Sequence, residues 1–157
     1  MARFRYRMQS LLDIKSKLET QAKQEFAAAK MALDIENERL EELQKRKVSY
    51  EAEAQALLNG ALKVQDIRDN KNAILKMDDY IVIQKLQIRA AEAKVEAARQ
   101  KLTGLMQERK MHEKLKEHAF EAFLEEEKKQ EGKEVDELTS YTYGQRIREK
   151  EKQGGAV

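Results

Sequence analysis

The chain has 157 residues, of which 38% are charged and 6% aromatic, and it contains no Pro, Cys or Trp. Its 31 basic and 29 acidic residues leave a formal net charge of +2, too balanced for wholesale phosphate neutralisation, which argues against a nucleic-acid partner. So few aromatic residues among so many charges argue against a compact globular core, while the lack of Pro lets helices run uninterrupted.

The opening residues alternate Arg3, Arg5 and Arg7 with Phe4, Tyr6 and Met8. They lack the apolar stretch and small-residue cleavage site of a secretory signal, and no apolar run approaches the roughly 18 residues that span a bilayer. With no cysteine, the composition fits a reducing compartment, and a cytoplasmic protein is expected. Two readings fit the arginines. They are a basic amphipathic start that touches a membrane or an acidic partner, or the frayed first turns of a helix whose apolar side is packed. The shortness of the run favours the second.

A first helix is expected from about Phe4 to about Leu58. Its inward stripe starts at Phe4, Met8, Leu11, Lys15, Leu18, Ala22 and Phe26, and continues through Leu33, Glu36, Leu40, Leu43, Lys47 and Tyr50 to Leu57. The spacing alternates four and three, with one stutter between Leu18 and Ala29. Outward positions carry charges at helical spacing, such as Glu41 before Lys45, the favourable order for a pair one turn apart.

Asn59 and Gly60 interrupt the pattern, and both residue types tolerate the left-handed backbone that ends helices. A turn region is expected over about 59–66, with Asp66, Asp69 and Asn70 as candidate caps. The second helix, about 67–130, carries the strongest signal in the chain. Ile67, Ile74, Ile81, Ile88, Val95 and Leu102 recur at every seventh position. Met77, Gln84, Ala91, Ala98 and Leu105 follow three residues behind them, and the period continues through Leu115, Ala119 and Phe123. Gly104 is a weak point, Gly132 is the expected stop, and residues 139–157 read as a flexible tail.

A narrow seven-residue stripe must be buried against another helix. The fold class expected is therefore all-α: a long antiparallel two-helix coiled coil, or helical hairpin, over residues 1–138, with a mobile C-terminal tail. Folded about residue 62, the stripes match large side chains to small ones, with Phe26 opposite Ala98 and Leu33 opposite Ala91. Phe4 falls near Phe120. A parallel self-dimer is the rival architecture, and it leaves the Asn59-Gly60 break without a purpose. One stripe per helix, diluted by Glu36, Lys47 and Gln84, gives a marginal core that a partner would stabilise.

No constellation of catalytic, cofactor-binding or metal-binding residues emerges. His112 and His118 lie six residues apart, lack the i,i+4 geometry of a helical metal site and read as surface histidines. The solvated carboxylates build no pocket that would shift their pKa values. No enzyme activity, cofactor, metal or small-molecule ligand is expected. The acidic stretch Glu125–Glu131 is expected near the N-terminal arginines, where it could pair with them. Tyr50 and Tyr80 lie toward the turn and offer contact area with few rotors, so they are candidates for a binding surface.

Several segments taken together resemble the bacterial flagellar export protein FliJ family. They are the start from Phe4 through Tyr6, Met8-Gln9 and Leu11-Leu12-Asp13-Ile14-Lys15, and the middle with Leu40, Leu43 and Tyr50 before the turn and Tyr80-Ile81 after it. The charged stretch Glu108–Glu117 and the acidic signature Lys133–Leu138 complete the set. The resemblance implies an antiparallel coiled coil similar to the stalk of rotary ATPases, serving type III export. Its implied partners are the hexameric flagellar export ATPase and its regulator, the membrane export-gate protein and export chaperones. The implied location is the cytoplasmic face of the inner membrane at the flagellar basal body, peripherally bound. The resemblance places gate contacts on Leu43, Tyr50 and Tyr80. It assigns the end bearing the termini to the ATPase ring, where Phe4, Arg5, Arg7, Leu11, Phe120 and Phe123 are the candidates. Arg39, Arg46, Gln84 and Gln87 depart from the family pattern on the gate surface. The alternatives are the equivalent stalk of a virulence type III system and a self-associating coiled-coil scaffold.

Overall fold

The computed structural model describes residues 2–155 and contains two helices, α1 (Gln9–Leu58) and α2 (Val64–Gly154). Lys15–Gln107 forms one compact unit, and Met1–Ile14 with Glu108–Val157 forms another. In the first unit α1 and α2 lie antiparallel about the turn at Asn59–Lys63. Gln84 reaches Glu36, Asn70 reaches Tyr50, Lys47 pairs with Asp78 and Lys101 with Glu25, each pair straddling that turn. These contacts agree with the expected antiparallel pairing to within one helical turn: Tyr50, expected opposite Ile74, is met by Asn70. In the second unit Phe4 packs on Phe120 and Phe123 of α2.

The inward stripe of α2 follows the expected heptads from Ile67 to Leu105 and continues through Arg109, His112, Lys116, Ala119 and Phe123, all buried or half-buried. Lys116, rather than the exposed Leu115, occupies the inward position. Along α1 the alternation of threes and fours is unbroken from Leu12 through Lys15, Glu19 and Ala22 to Leu57. The expected stutter is absent. Glu19 is 4% exposed and Leu18 38%. Rotating the helix to bury Leu18 would turn Ala22 and Phe26 away from α2, so the period of the whole stripe outweighs the hydrophobicity of one residue. Met8 is exposed for the same reason, and Leu12 is more deeply buried than its neighbour Leu11.

The helix ends differ from those the sequence suggests. α1 begins at Gln9 rather than Phe4. Three cations in the first turn would oppose the helix dipole, and residues 2–6 are non-helical, with the helix entered through Gln9 N–H to Tyr6 O at 3.2 Å. α2 begins at Val64, three residues early, with Ile67 N–H donating to Lys63 O at 3.2 Å. Among the described residues no backbone has positive φ, and a Cβ at Gly60 would meet nothing within 4 Å, so the turn requires glycine there neither for a left-handed conformation nor for space. α2 passes through Gly132 and Gly144 to Gly154. A single glycine costs about 1 kcal/mol in a helix interior, which good helix formers such as Glu, Lys and Leu on either side absorb.

Hydrophobic burial is sparse. Among the described residues the buried apolar ones are Leu12, Ala22, Met77 and Ile88, matched by an equal number of buried polar ones, Glu19, Asn70, Gln84 and His112. The chain exposes 13021 Å² to solvent. Little apolar surface leaves water, in keeping with the marginal core expected of one stripe per helix.

Candidate interaction surfaces

Within Lys15–Gln107, Leu43 and Tyr80 line one open cleft together with Arg39, Arg46, Ile83 and Gln87. α1 contributes Leu43 from its inward stripe and α2 contributes Tyr80 from the flank, where it is 49% exposed. The floor of this cleft is fixed by a polar clasp. Gln84 Nε2 donates to Glu36 Oε2 at 2.6 Å and to Glu36 O at 2.8 Å, and Arg39 donates to Glu36 Oε1 at 2.9 Å. Arg39 therefore points along the helix toward Glu36, leaving Leu43, Tyr80 and Ile83 as the apolar part of the cleft. Such a surface suits an amphipathic segment with an apolar anchor and polar edges.

Tyr50 is not part of that cleft. It is half-buried and lines a second one nearer the turn with Glu53, Leu57, Asp66, Asp69 and Asn70. Asn70 Nδ2 donates to Tyr50 O at 3.0 Å, which pins the residue to α2 through its backbone. Between the two clefts Lys47 Nζ lies 2.6 Å from Asp78 Oδ1, and this carboxylate holds the Lys47 ammonium above its ordinary range by hydrogen bonding and charge. Of the three expected gate residues, then, Leu43 and Tyr80 come together and Tyr50 stands apart. Ile83 and Glu42 complete the first cleft and went unnoticed in sequence, because Ile83 lies off the isoleucine heptads and Glu42 resembles any solvated helix charge.

In the other unit, three aromatic rings gather. Phe4 meets Phe120 edge-on at 5.2 Å and Phe123 at 5.4 Å, with Phe120 and Phe123 stacked at 6.5 Å. Spacing of three residues puts Phe120 and Phe123 on one helix face, and the non-helical residues 2–6 bring Phe4 against both. Arg3 and Arg5 line a cleft beside this cluster with Tyr6, Gln9 and Lys116. Phe4 and Phe120 also border a groove with Leu12, Glu113, Lys116 and Glu117. Arg7 is exposed and Leu11 half-buried, and neither borders these clefts. Of the six expected ring-facing residues, four gather here and two do not.

Two expectations at this end are corrected. No ion pair joins Arg3, Arg5 or Arg7 to Glu125–Glu131 among the described residues. The N-terminal segment contacts α2 through the Phe4 ring, and Arg3, Arg5 and Arg7 are exposed. His112 is not a surface residue: it is 8% exposed, on the inward stripe, and its Nδ1 has no hydrogen-bond partner. His118 does lie at the surface, 3.6 Å from Glu121. Tyr6 Oη is likewise buried without a partner. The heptad count, continued from Leu105 to Arg109 and His112, would have placed His112 inward.

No group of His, Asp or Glu able to hold a metal occurs among the described residues. No helix in the described chain is long and apolar enough to cross a membrane.

Residues 4–148 match the family described as the flagellar FliJ protein. Among solved structures, a YscO homologue, CT670 of Chlamydia trachomatis, is similar with a TM-score of 0.75 at 21% sequence identity, over 93% of this chain and 99% of that one. At that identity the likeness establishes the fold. No curated protein matches the sequence.

Proposed function

The chain belongs to the FliJ family, and from that premise we propose that it is a non-enzymatic stalk and coupling component of flagellar type III protein export. The family match over nearly the whole chain carries this reading. Two separate surfaces with different chemistry support its finer parts. The aromatic cluster of Phe4, Phe120 and Phe123, flanked by Arg3 and Arg5, is the end that docks in the hexameric export ATPase and promotes ring assembly. Leu11 and Arg7 are further candidates for contact with the ring on this reading. The Leu43–Tyr80 cleft, with Tyr50 next to it, takes the export-gate protein and so brings the complex to the inner membrane as a peripheral component. Export chaperones and the ATPase regulator are further partners on this reading. On this reading the chain's work is binding and positioning rather than chemistry.

The test is to mix the purified chain with the export ATPase of the same organism and follow hexamer formation and ATP turnover against its concentration. Saturable stimulation, lost on removal of residues 1–8, is the expected result. A helical chain that neither binds nor stimulates the ATPase would leave the self-associating scaffold. For the gate surface, Tyr80→Ala is expected to weaken gate binding with helicity unchanged. Full binding by folded Tyr80→Ala and Tyr50→Ala variants would remove these residues from the interface.

The similarity in fold to a YscO homologue supports a second reading, the equivalent stalk of a virulence secretion system. Deleting the chain separates the two. Loss of motility marks the flagellar role, and loss of effector secretion with motility intact marks the other.

A further inference from the structure

Past Phe123, α2 changes character. Every residue from Lys128 to Gly155 is exposed apart from half-buried Gly144. The heptad positions that were apolar now hold Glu126, Gln130, Lys133 and Glu137, so the stripe that packs the rest of the chain has ended. A second stripe begins on a different face, again alternating fours and threes. Its first part is acidic, at Glu127, Glu131 and Glu134. Its middle is apolar, at Leu138 and Tyr141, 64% and 65% exposed. After Gln145, whose Nε2 donates to Tyr141 Oη at 2.8 Å, it ends in Arg148 and Lys152.

This order stacks like charges one turn apart, Glu127 over Glu131 and Arg148 over Lys152, an arrangement that destabilises an isolated helix. None of these four has an ion-pair partner among the described residues. The stripe becomes favourable when a second one lies on it in the opposite direction. In an antiparallel pair, Leu138 faces Tyr141 of the partner subunit, Glu134 faces Gln145, Glu131 faces Arg148 and Glu127 faces Lys152. Every facing pair is then apolar with apolar, polar with acid, or acid with base. A parallel pair would set acid on acid at one end of the stripe and base on base at the other.

We propose that residues 127–152 of α2 form a self-complementary docking surface whose occupant is the same segment of a second copy of this chain, packed antiparallel. Phe4 covers Phe123, and the paired segments lie beyond that contact, so two copies join without displacing the aromatic cluster. The pairing buries two aromatic–leucine contacts at its centre and is held in register by charge, so its affinity falls with salt.

The test is sedimentation of the full chain across a concentration series at low and at high salt. A dimer that weakens as salt rises is expected. The double variant Arg148→Glu/Lys152→Glu carries an all-acidic stripe, and Glu127→Lys/Glu131→Lys one that is basic at both ends, with Glu134 its single acid. Each alone is expected to raise the dimer Kd at least about tenfold, and mixing the two to restore association. Recovery on mixing also shows that both variants keep the helix. Orientation follows from a label at Lys128→Cys, since the chain has no other cysteine. Antiparallel packing separates the two labels by roughly 35 Å, and parallel packing brings them within about 10 Å. A monomer at all concentrations and salts, charge variants that associate like the wild type, or labels in close contact would each overturn the proposal.

Discussion

The turn-side unit and the unit holding the termini are built from the same helices yet treat buried polar groups in opposite ways. Between Lys15 and Gln107 the inward polar residues are answered. Gln84 is bonded to Glu36, Asn70 to Tyr50 O and Lys47 to Asp78. In the other unit, His112 Nδ1 and Tyr6 Oη are buried with no partner, and the packing rests on three phenylalanine rings. A heptad stripe alone allows slippage by seven residues at modest cost, because one apolar level resembles the next. A satisfied polar pair allows only the register in which donor meets acceptor. The turn-side unit is thus the part whose alignment is specified. The terminal unit is held by contacts that tolerate adjustment, as suits a surface that is completed by another protein.

Substitutions can break this comparison. The largest effect is expected from Ile88→Ala, which empties a buried level of the heptad stripe. It should lower stability by about 2–4 kcal/mol in thermal or urea unfolding. Phe123→Ala, at a half-buried position in the aromatic cluster, should cost about half as much. Equal losses would mean that the two units contribute alike.

A smaller pair of changes sharpens the contrast. Asn70→Ala removes a satisfied hydrogen bond and should destabilise by about 1 kcal/mol. His112→Leu removes an unsatisfied group of similar size and should stabilise by a comparable amount. Destabilisation by His112→Leu would show that the imidazole has a bonding role, and the two units would then no longer differ in kind.

Much of the first unit was legible in the sequence because the isoleucine repeat is strict. The turn, the antiparallel register and the inward stripe from Phe26 to Leu57 all follow from it. The end near Leu18 was misread because a leucine was preferred to a glutamate as an inward residue. The period of the neighbouring positions decides, and Glu19 lies on it. His112 and Lys116 were missed for the same reason. The Leu43–Tyr80 cleft was half legible. Aromatic and apolar residues near the turn could be picked out, but whether Tyr50 shares a groove with Tyr80 depends on which flank of the stripe each faces. The length of α2 was misjudged because glycine was given the force of a stop. It is only a local cost, and nothing after Gly132 supplies a competing turn.

Gly104 tests that last point. It lies in the interior of α2 with open space where a Cβ would be. Gly104→Ala should therefore raise stability by about 1 kcal/mol through helix propensity alone. No gain would indicate a neighbour or a bend that the open space does not reveal.

The smallest effect expected is a pH dependence at the polar clasps of the first unit. Asp78 raises the pKa of Lys47 above its ordinary 10.5, first through the hydrogen bond and then through charge. A cation whose pKa is raised on folding binds its proton more tightly in the folded chain. Its contribution is therefore complete below pH 10.5 and declines as pH climbs through the folded value. The pair is open to solvent, so the change in Tm should be slight and should shrink further in high salt. Asp78→Asn keeps the shape of the side chain and removes the charge. It should flatten the alkaline limb of the stability profile while leaving the profile near neutral pH parallel to that of the wild type. An unchanged alkaline limb in Asp78→Asn would mean that the turn-side register is carried by Gln84 and Asn70 without help from this ion pair.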